Sequence, residues 1–67
     1  MVKDMRHKYR IRRWHGDEVL EDLSVELPIA IDWLSSYYLE EKDWDCLVIE
    51  EMDKDGKEIG MFTYTRK

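Results

Sequence analysis

This sequence is short of the residues that most chemistry is built from. It holds one cysteine, one proline, three glycines and two histidines in 67 residues. With Cys46 alone there is no disulfide framework, and a lone cysteine inside an apolar run reads as a small buried side chain rather than a nucleophile. That usage suits the reducing cytoplasm. No apolar run approaches the roughly 18 residues that a membrane span needs. The opening MVKDMRHKYR is polar from its first residues, so neither a signal peptide nor a membrane segment is expected. The scarcity of proline and glycine leaves no linker, and residues 1–67 read as one domain, with 1–4 frayed.

The same scarcity removes most catalytic and metal-binding sets. The hydroxyl nucleophiles are Ser24, Ser35, Ser36, Thr63 and Thr65, and none sits in a glycine-rich elbow or phosphate loop. His7 and His15 have no cysteine pair beside them, and zinc needs three or four convergent ligands. His15 with Asp17 and Glu18 reads as a solvated turn. The run Asp53, Asp55, Gly56 resembles part of a calcium loop, but Glu51 stands at its first ligand position and Phe62 at its last. A single layer of this size has little room for the roughly 300 Å3 of a small-molecule site. A non-enzyme without cofactor or metal is expected.

What is abundant is charge. Forty per cent of the residues are charged and the net charge is −5. The charges are segregated: residues 1–13 carry +5, residues 17–58 carry −12 and the last two residues carry +2. A chain this short buries only roughly 60% of its unfolded surface, so each large core side chain matters.

The clearest helical pattern runs through Leu27–Lys42. At about 100° per residue, Ala30, Trp33, Leu34 and Tyr37 cluster on one side, widened by Ile29 and Tyr38. Pro28 suits the first turn, where its missing N–H is no loss. No glycine stops the pattern, and Glu40 and Glu41 oppose the helix dipole. The apolar side is wider than one sheet requires, so Trp33, Tyr38 or Leu39 is a candidate contact for a partner.

Alternation marks the strands. In 5–14, Tyr9 and Ile11 point one way and Lys8, Arg10 and Arg12 the other, with Trp14 in step with the cations unless a bulge re-aims it. A turn at 15–18 leads to a second strand in which Leu23, Val25 and Leu27 alternate with polar residues. The phase break at Val19–Leu20–Glu21 signals a bulge. A third strand, 44–52, is apolar on both faces at Cys46–Ile49. Asp55-Gly56 is the strongest hairpin signal, and 59–65 forms the fourth strand. The expected fold is α+β: a ββαββ domain whose four-stranded, mainly antiparallel sheet carries one helix on one face. The expected core is Tyr9, Ile11, Leu23, Val25, Ala30, Leu34, Tyr37, Leu47 and Ile49.

Two charged surfaces compete for function. Lys8, Arg10 and Arg12, with Trp14 in line, have the makings of a single-stranded nucleic-acid track. Asp22, Glu26, Glu50 and Glu51 on the adjoining strands would neutralise it by cross-strand pairing. Asp43, Asp45, Glu50, Glu51, Asp53, Asp55 and Glu58 are the alternative, an acidic ridge suited to a basic surface on another protein. Size, acidity and the missing catalytic set resemble those of small inhibitors encoded by phages and other mobile elements, a likeness of composition that rests on no motif. The expected function is a non-catalytic protein-binding module, an inhibitor or regulator. Its contacts are Trp33, Tyr38 and Leu39 or the acidic ridge, and its partner is a protein with a basic surface. A homodimer is expected as well, because one helix leaves the second sheet face bare.

Overall fold

The sheet is organised around its first strand. A computed structural model describes residues 6–66, and the expected fraying of 1–4 lies outside them. β1 (His7–His15) pairs with β2 (Glu18–Leu27) on one side and with β3 (Cys46–Met52) on the other; β4 (Glu58–Thr65) pairs with β3. All three pairings are antiparallel, and the order is β2-β1-β3-β4. The one helix among the described residues, α1 (Ile31–Leu39), lies in the connection from β2 to β3. The ββαββ α+β domain expected from the sequence is the fold observed.

Turn chemistry sets both hairpins. Gly16 has φ 60° at the first central position of a two-residue turn, a conformation that costs an L side chain strain. Gly56 has φ 84°, and the Asp53 carboxylate accepts the N–H groups of Asp55 and Lys57 at 2.9 Å. The bulge foreseen near Leu20 is present: Arg13 faces Glu21 while Trp14 faces Val19, leaving Leu20 as the extra residue. A second bulge leaves Ile59 unopposed, since Glu51 faces Gly60 and Met52 faces Glu58.

The register assigns the sheet faces. Tyr9, Ile11, Leu47, Ile49 and Phe62 share the helix side; the first four form the core with Leu34 and Trp44, and Phe62 packs against it. Lys8, Arg10, Arg12 and Trp14 share the opposite side with Cys46, Val48, Glu50 and Met52. Val25, Leu27, Ile31, Tyr38 and Leu39 pack against the core from its margin.

The helix departs from expectation in length and in phase. It spans Ile31–Leu39 rather than 27–42. Leu27 ends β2 opposite His7, so Pro28 and Ile29 belong to the connection and not to a first turn. Ala30 occupies the N-cap without a side-chain hydrogen bond. The buried stripe is Leu34 and Ser35 with Ile31, Tyr38 and Leu39, not Ala30–Trp33–Leu34–Tyr37. Ser35 is tolerated there because its hydroxyl donates to the Ile31 carbonyl at 2.7 Å.

Three expected core residues are therefore corrected. Tyr37 and Ala30 lie on the solvent side, and Leu23, though opposite Ile11, stands on an outer strand with no neighbour beyond it. In their place stands Trp44, just before β3 and 1% exposed. Its indole N–H donates to the Tyr38 carbonyl at 3.0 Å, which satisfies the one polar atom that its burial would otherwise strand.

This core gives a contrast to measure. Trp44→Ala should lower unfolding free energy by about 3–5 kcal/mol, while Tyr37→Ala should change it by less than about 0.5 kcal/mol. Urea melts of the two variants check this. Equal losses would show that the helix is turned with Tyr37 inward.

Candidate functional site

The basic stripe emerges from the fold with its charges already engaged. Alternation puts Lys8, Arg10 and Arg12 on one face of β1, and the flanking strands present acids to them. Arg10 donates from Nε and a terminal nitrogen to Asp22 at 3.3 Å, which holds the Asp22 carboxyl below its ordinary value. Arg12 donates to Glu50 and lies over the Trp14 ring at 5.7 Å. Lys8 faces Glu26 in register and reaches the Lys54 carbonyl at 3.4 Å. A track of free cations is thus not what the face offers. Trp14 is half-buried beneath Arg12 rather than open to a base.

The acids do not gather into a ridge either. Asp43 pairs with Arg13 at 3.0 Å, and Asp45 accepts the Gly16 N–H at 2.8 Å. Glu50 and Glu51 are consecutive in β3 and point to opposite faces; Glu51 meets His7 Nδ1 at 2.8 Å. Asp53 is occupied by its turn, while Asp55 and Glu58 are exposed. Most of these carboxylates serve the fold locally.

The helix gives a different picture. Trp33 is 74% exposed and Tyr37 63% exposed, one turn apart on the side away from the sheet. Ile29, one further spacing back, is also exposed. Residues at i and i+4 share one face of a helix, so Trp33 and Tyr37 make an apolar strip about one turn long, with Ile29 exposed in the connection before it. Asp32 on the same helix, and Glu40 and Glu41 just after its end, are exposed. Of the other contacts expected on α1, Leu39 packs against the core, and Tyr38 is half-buried, its ring under Arg13 at 5.6 Å and edge-on to Tyr37 at 5.5 Å. Burial pushes the Tyr38 hydroxyl up, with Glu21 adding to the effect. Ile29 and Tyr37 were hidden at sequence level because each was assigned to the apolar side that packs inward. The four-residue spacing of Trp33 and Tyr37 is the signal that marks a second face of the helix.

The strip is held in place from below. The buried Tyr9 hydroxyl donates to the Ile29 carbonyl at 2.6 Å, tying the connection before α1 to the middle of the sheet. Loss of that bond would free the segment that carries Ile29 into the helix.

Concave surfaces are shallow. An open groove of about 520 Å3 is lined by His7, Glu26, Glu51, Met52, Lys54 and Ile59, and another of about 450 Å3 lies between α1 and β4. His7 and Glu51 are hydrogen-bonded at the first, and its lining residues include no Ser, Thr or Cys. Among the described residues no group of three or more His, Cys, Asp and Glu could hold a metal, and no helix is long and apolar enough to cross a membrane. Comparison with protein-family models, with curated proteins and with solved structures finds no match.

Tyr9 supplies the pH test. Its phenol is pushed from 10.0 up to about 12, first by burial and then by the charges of Glu51 and Asp32. The unfolded chain releases this proton at lower pH than the folded one. The stabilisation is therefore complete below about pH 10 and is lost as pH rises toward about 12. Tyr9→Phe should lower stability by about 0.5–1.5 kcal/mol near neutrality, and its urea midpoint should fall less than the parent's from about pH 9 to about pH 11. Parallel pH profiles for the two proteins would contradict this account of Tyr9.

Proposed function

We propose that this chain is a small, acidic, non-catalytic protein-binding module that inhibits or regulates its partner, and that it docks through Ile29, Trp33 and Tyr37. The observation that carries the reading is the exposure of Trp33 beside Tyr37 on a helix whose other side is committed to the core. Trp and Tyr dominate the energetics of interfaces, and two of them facing water one turn apart are a poor use of apolar area unless something covers them. Asp32, Glu40 and Glu41 stand along the strip. Charge complementarity then gives the partner its chemistry: a protein with an apolar slot rimmed by Lys and Arg. The engagement of Arg10 and Arg12 by Asp22 and Glu50 favours this reading over a single-stranded nucleic-acid binder. The lone free Cys46 suits a reducing cytoplasm. The same reading has the chain acting as a homodimer, because apolar side chains remain exposed on β4 and at the sheet margin.

Affinity capture from a lysate of the source cell, followed by binding measurements on the captured protein, checks this. Trp33→Ala should weaken binding by at least about tenfold with the fold intact, Asp55→Ala should leave it within about twofold, and added salt should weaken it moderately. Amide exchange should show protection across α1. A partner whose affinity ignores Trp33→Ala would remove the helix from the interface, and detection of turnover with no captured partner would reverse the non-catalytic reading.

A further inference from the structure

The two outer strands of the sheet are finished differently. β2 carries Glu18, Glu21, Asp22 and Glu26 and holds the Leu20 bulge. Charges and bulges on an outer strand are the devices that block pairing with another chain. β4 has both only at its start, where Glu58 precedes the bulge at Ile59, and no charged residue occurs from Ile59 to Thr65. Ile59, Met61 and Tyr64 are exposed, and the run is rich in strand-forming residues. The helix does not close over it. A groove of about 450 Å3 is left between α1 and β4, lined by Ile31, Ser35, Leu39, Gly60 and Phe62.

The phase of the ladder shows which backbone groups are free to pair. Arg66 N–H donates to the Asp45 carbonyl at 2.7 Å, and these two residues continue the register in which Cys46 faces Thr65. In an antiparallel ladder, residues bonded to the neighbouring strand alternate with residues whose N–H and C=O face away. Met61, Thr63 and Thr65 therefore present their backbone groups to the open edge.

We propose that this edge binds a second copy of the chain, β4 against β4, antiparallel and centred on Thr63. The proposal deepens the homodimer reading and rests on it. The centre follows from the side chains. With Thr63 opposite Thr63, the outward-facing groups of Met61 meet those of Thr65 in the second copy, and Phe62 faces Tyr64 on the helix side. Aromatic and Thr–Thr pairs across strands stabilise a sheet. Electrostatics selects the edge and the direction. Pairing β2 with β2 would bring the acids of two chains, each with net charge −5, together. Pairing β2 with β4 leaves edges free at both ends and propagates without closing. Antiparallel β4 pairing sets the Glu58 end of one strand beside the Arg66 end of the other, whereas parallel pairing would place like charges together. The product is a continuous sheet of twice the four strands present here, its two-fold axis normal to the sheet. Both α1 helices then lie on one side, and their grooves face each other across Phe62 and Tyr64 of the two copies.

Light scattering coupled to size exclusion, from about 10 μM to about 1 mM protein, reads the dimer directly. The parent should approach twice 8.2 kDa. Met61→Lys, which charges the edge, and Thr63→Pro, which deletes an outward N–H that β3 does not use, should each raise the dissociation constant by at least about thirtyfold with circular dichroism unchanged. In a Cys46→Ser background, Thr63→Cys should form an intermolecular disulfide on mild oxidation, because directly paired residues fall within bridging distance, and Ser24→Cys on β2 should not. A dimer that survives Met61→Lys and cross-links through Ser24→Cys overturns this edge while leaving the homodimer reading intact. A parent that stays monomeric at the highest concentration overturns both. A monomer whose 61–65 amides become protected only on binding the Trp33-dependent partner gives the edge to a foreign strand and overturns the second copy.

Discussion

The fold depends on how Trp44 and Arg66 together finish the helix. α1 ends without a glycine, has no basic residue in its last turn and is followed by Glu40 and Glu41, an arrangement that sets acids against the negative end of the dipole. The missing positive charge arrives from the far end of the chain. The Arg66 guanidinium lies over the Trp44 ring at 3.9 Å and donates to the carbonyls of Leu39, Glu41 and Trp44. Trp44 in turn donates to the Tyr38 carbonyl and meets Tyr64 edge-on at 5.8 Å. Carbonyls that a glycine cap would have satisfied are satisfied by two side chains, one just before β3 and one just after β4. The helix terminus, the start of the inner strand and the end of the outer strand are thereby joined at one point. Tyr9 does the equivalent at the other end of α1 through the Ile29 carbonyl. A nine-residue helix is too short to hold itself in water, so these two anchors and the packing of Leu34 maintain it.

Charge serves the same economy of size. A small domain has few buried contacts to fix strand order, and cross-strand ion pairs supply register information at little net stability. β1 carries the cations, and the strands on either side carry Asp22 and Glu50 opposite them. Shifting β1 by one residue would turn Arg10 and Arg12 toward the core and Tyr9 and Ile11 toward water. The uneven distribution of charge along the sequence, basic first and acidic later, is thus a consequence of topology: the first strand is an inner one and its neighbours are acidic. Read without the strand order, the same segregation suggested two free charged surfaces.

That difference defines what the sequence made legible. Period-two alternation disclosed all four strands, both turns through Gly16 and Gly56, and the Leu20 bulge through its break in phase. The element order followed from these. The helix phase did not follow, because α1 has two apolar sides, Ile31–Leu34–Tyr38 and Trp33–Tyr37, and size favours the wrong one. What decides between them is Ser35, small and able to return its hydroxyl to the Ile31 carbonyl, and the unoccupied space that Trp44 enters from outside the helix. Neither is a property of the helical segment alone. The partnering of the carboxylates was equally out of reach, since it requires knowing that β1 lies between β2 and β3.

The surfaces left over once the fold has taken what it needs are therefore not the charged ones. Arg10, Arg12, Arg13, Glu50, Glu51, Asp43 and Asp45 are engaged in holding strands and turns. Two features among the described residues are not spent in this way: the Trp33–Tyr37 strip with Ile29 before it, and the edge of β4 from Ile59 to Thr65, which carries no charge. They lie on different elements and differ in kind, one offering aromatic side chains and the other backbone hydrogen-bonding groups. Pairing at β4 about a two-fold axis would set two aromatic strips on the same side of one sheet. A partner with two suitably spaced slots would then bind both, and the second contact would form at the high effective concentration that a rigid sheet provides. In that arrangement the assembly edge and the aromatic strip are parts of one mechanism, in which a domain with a marginal core gains binding strength by doubling a small contact rather than by enlarging it.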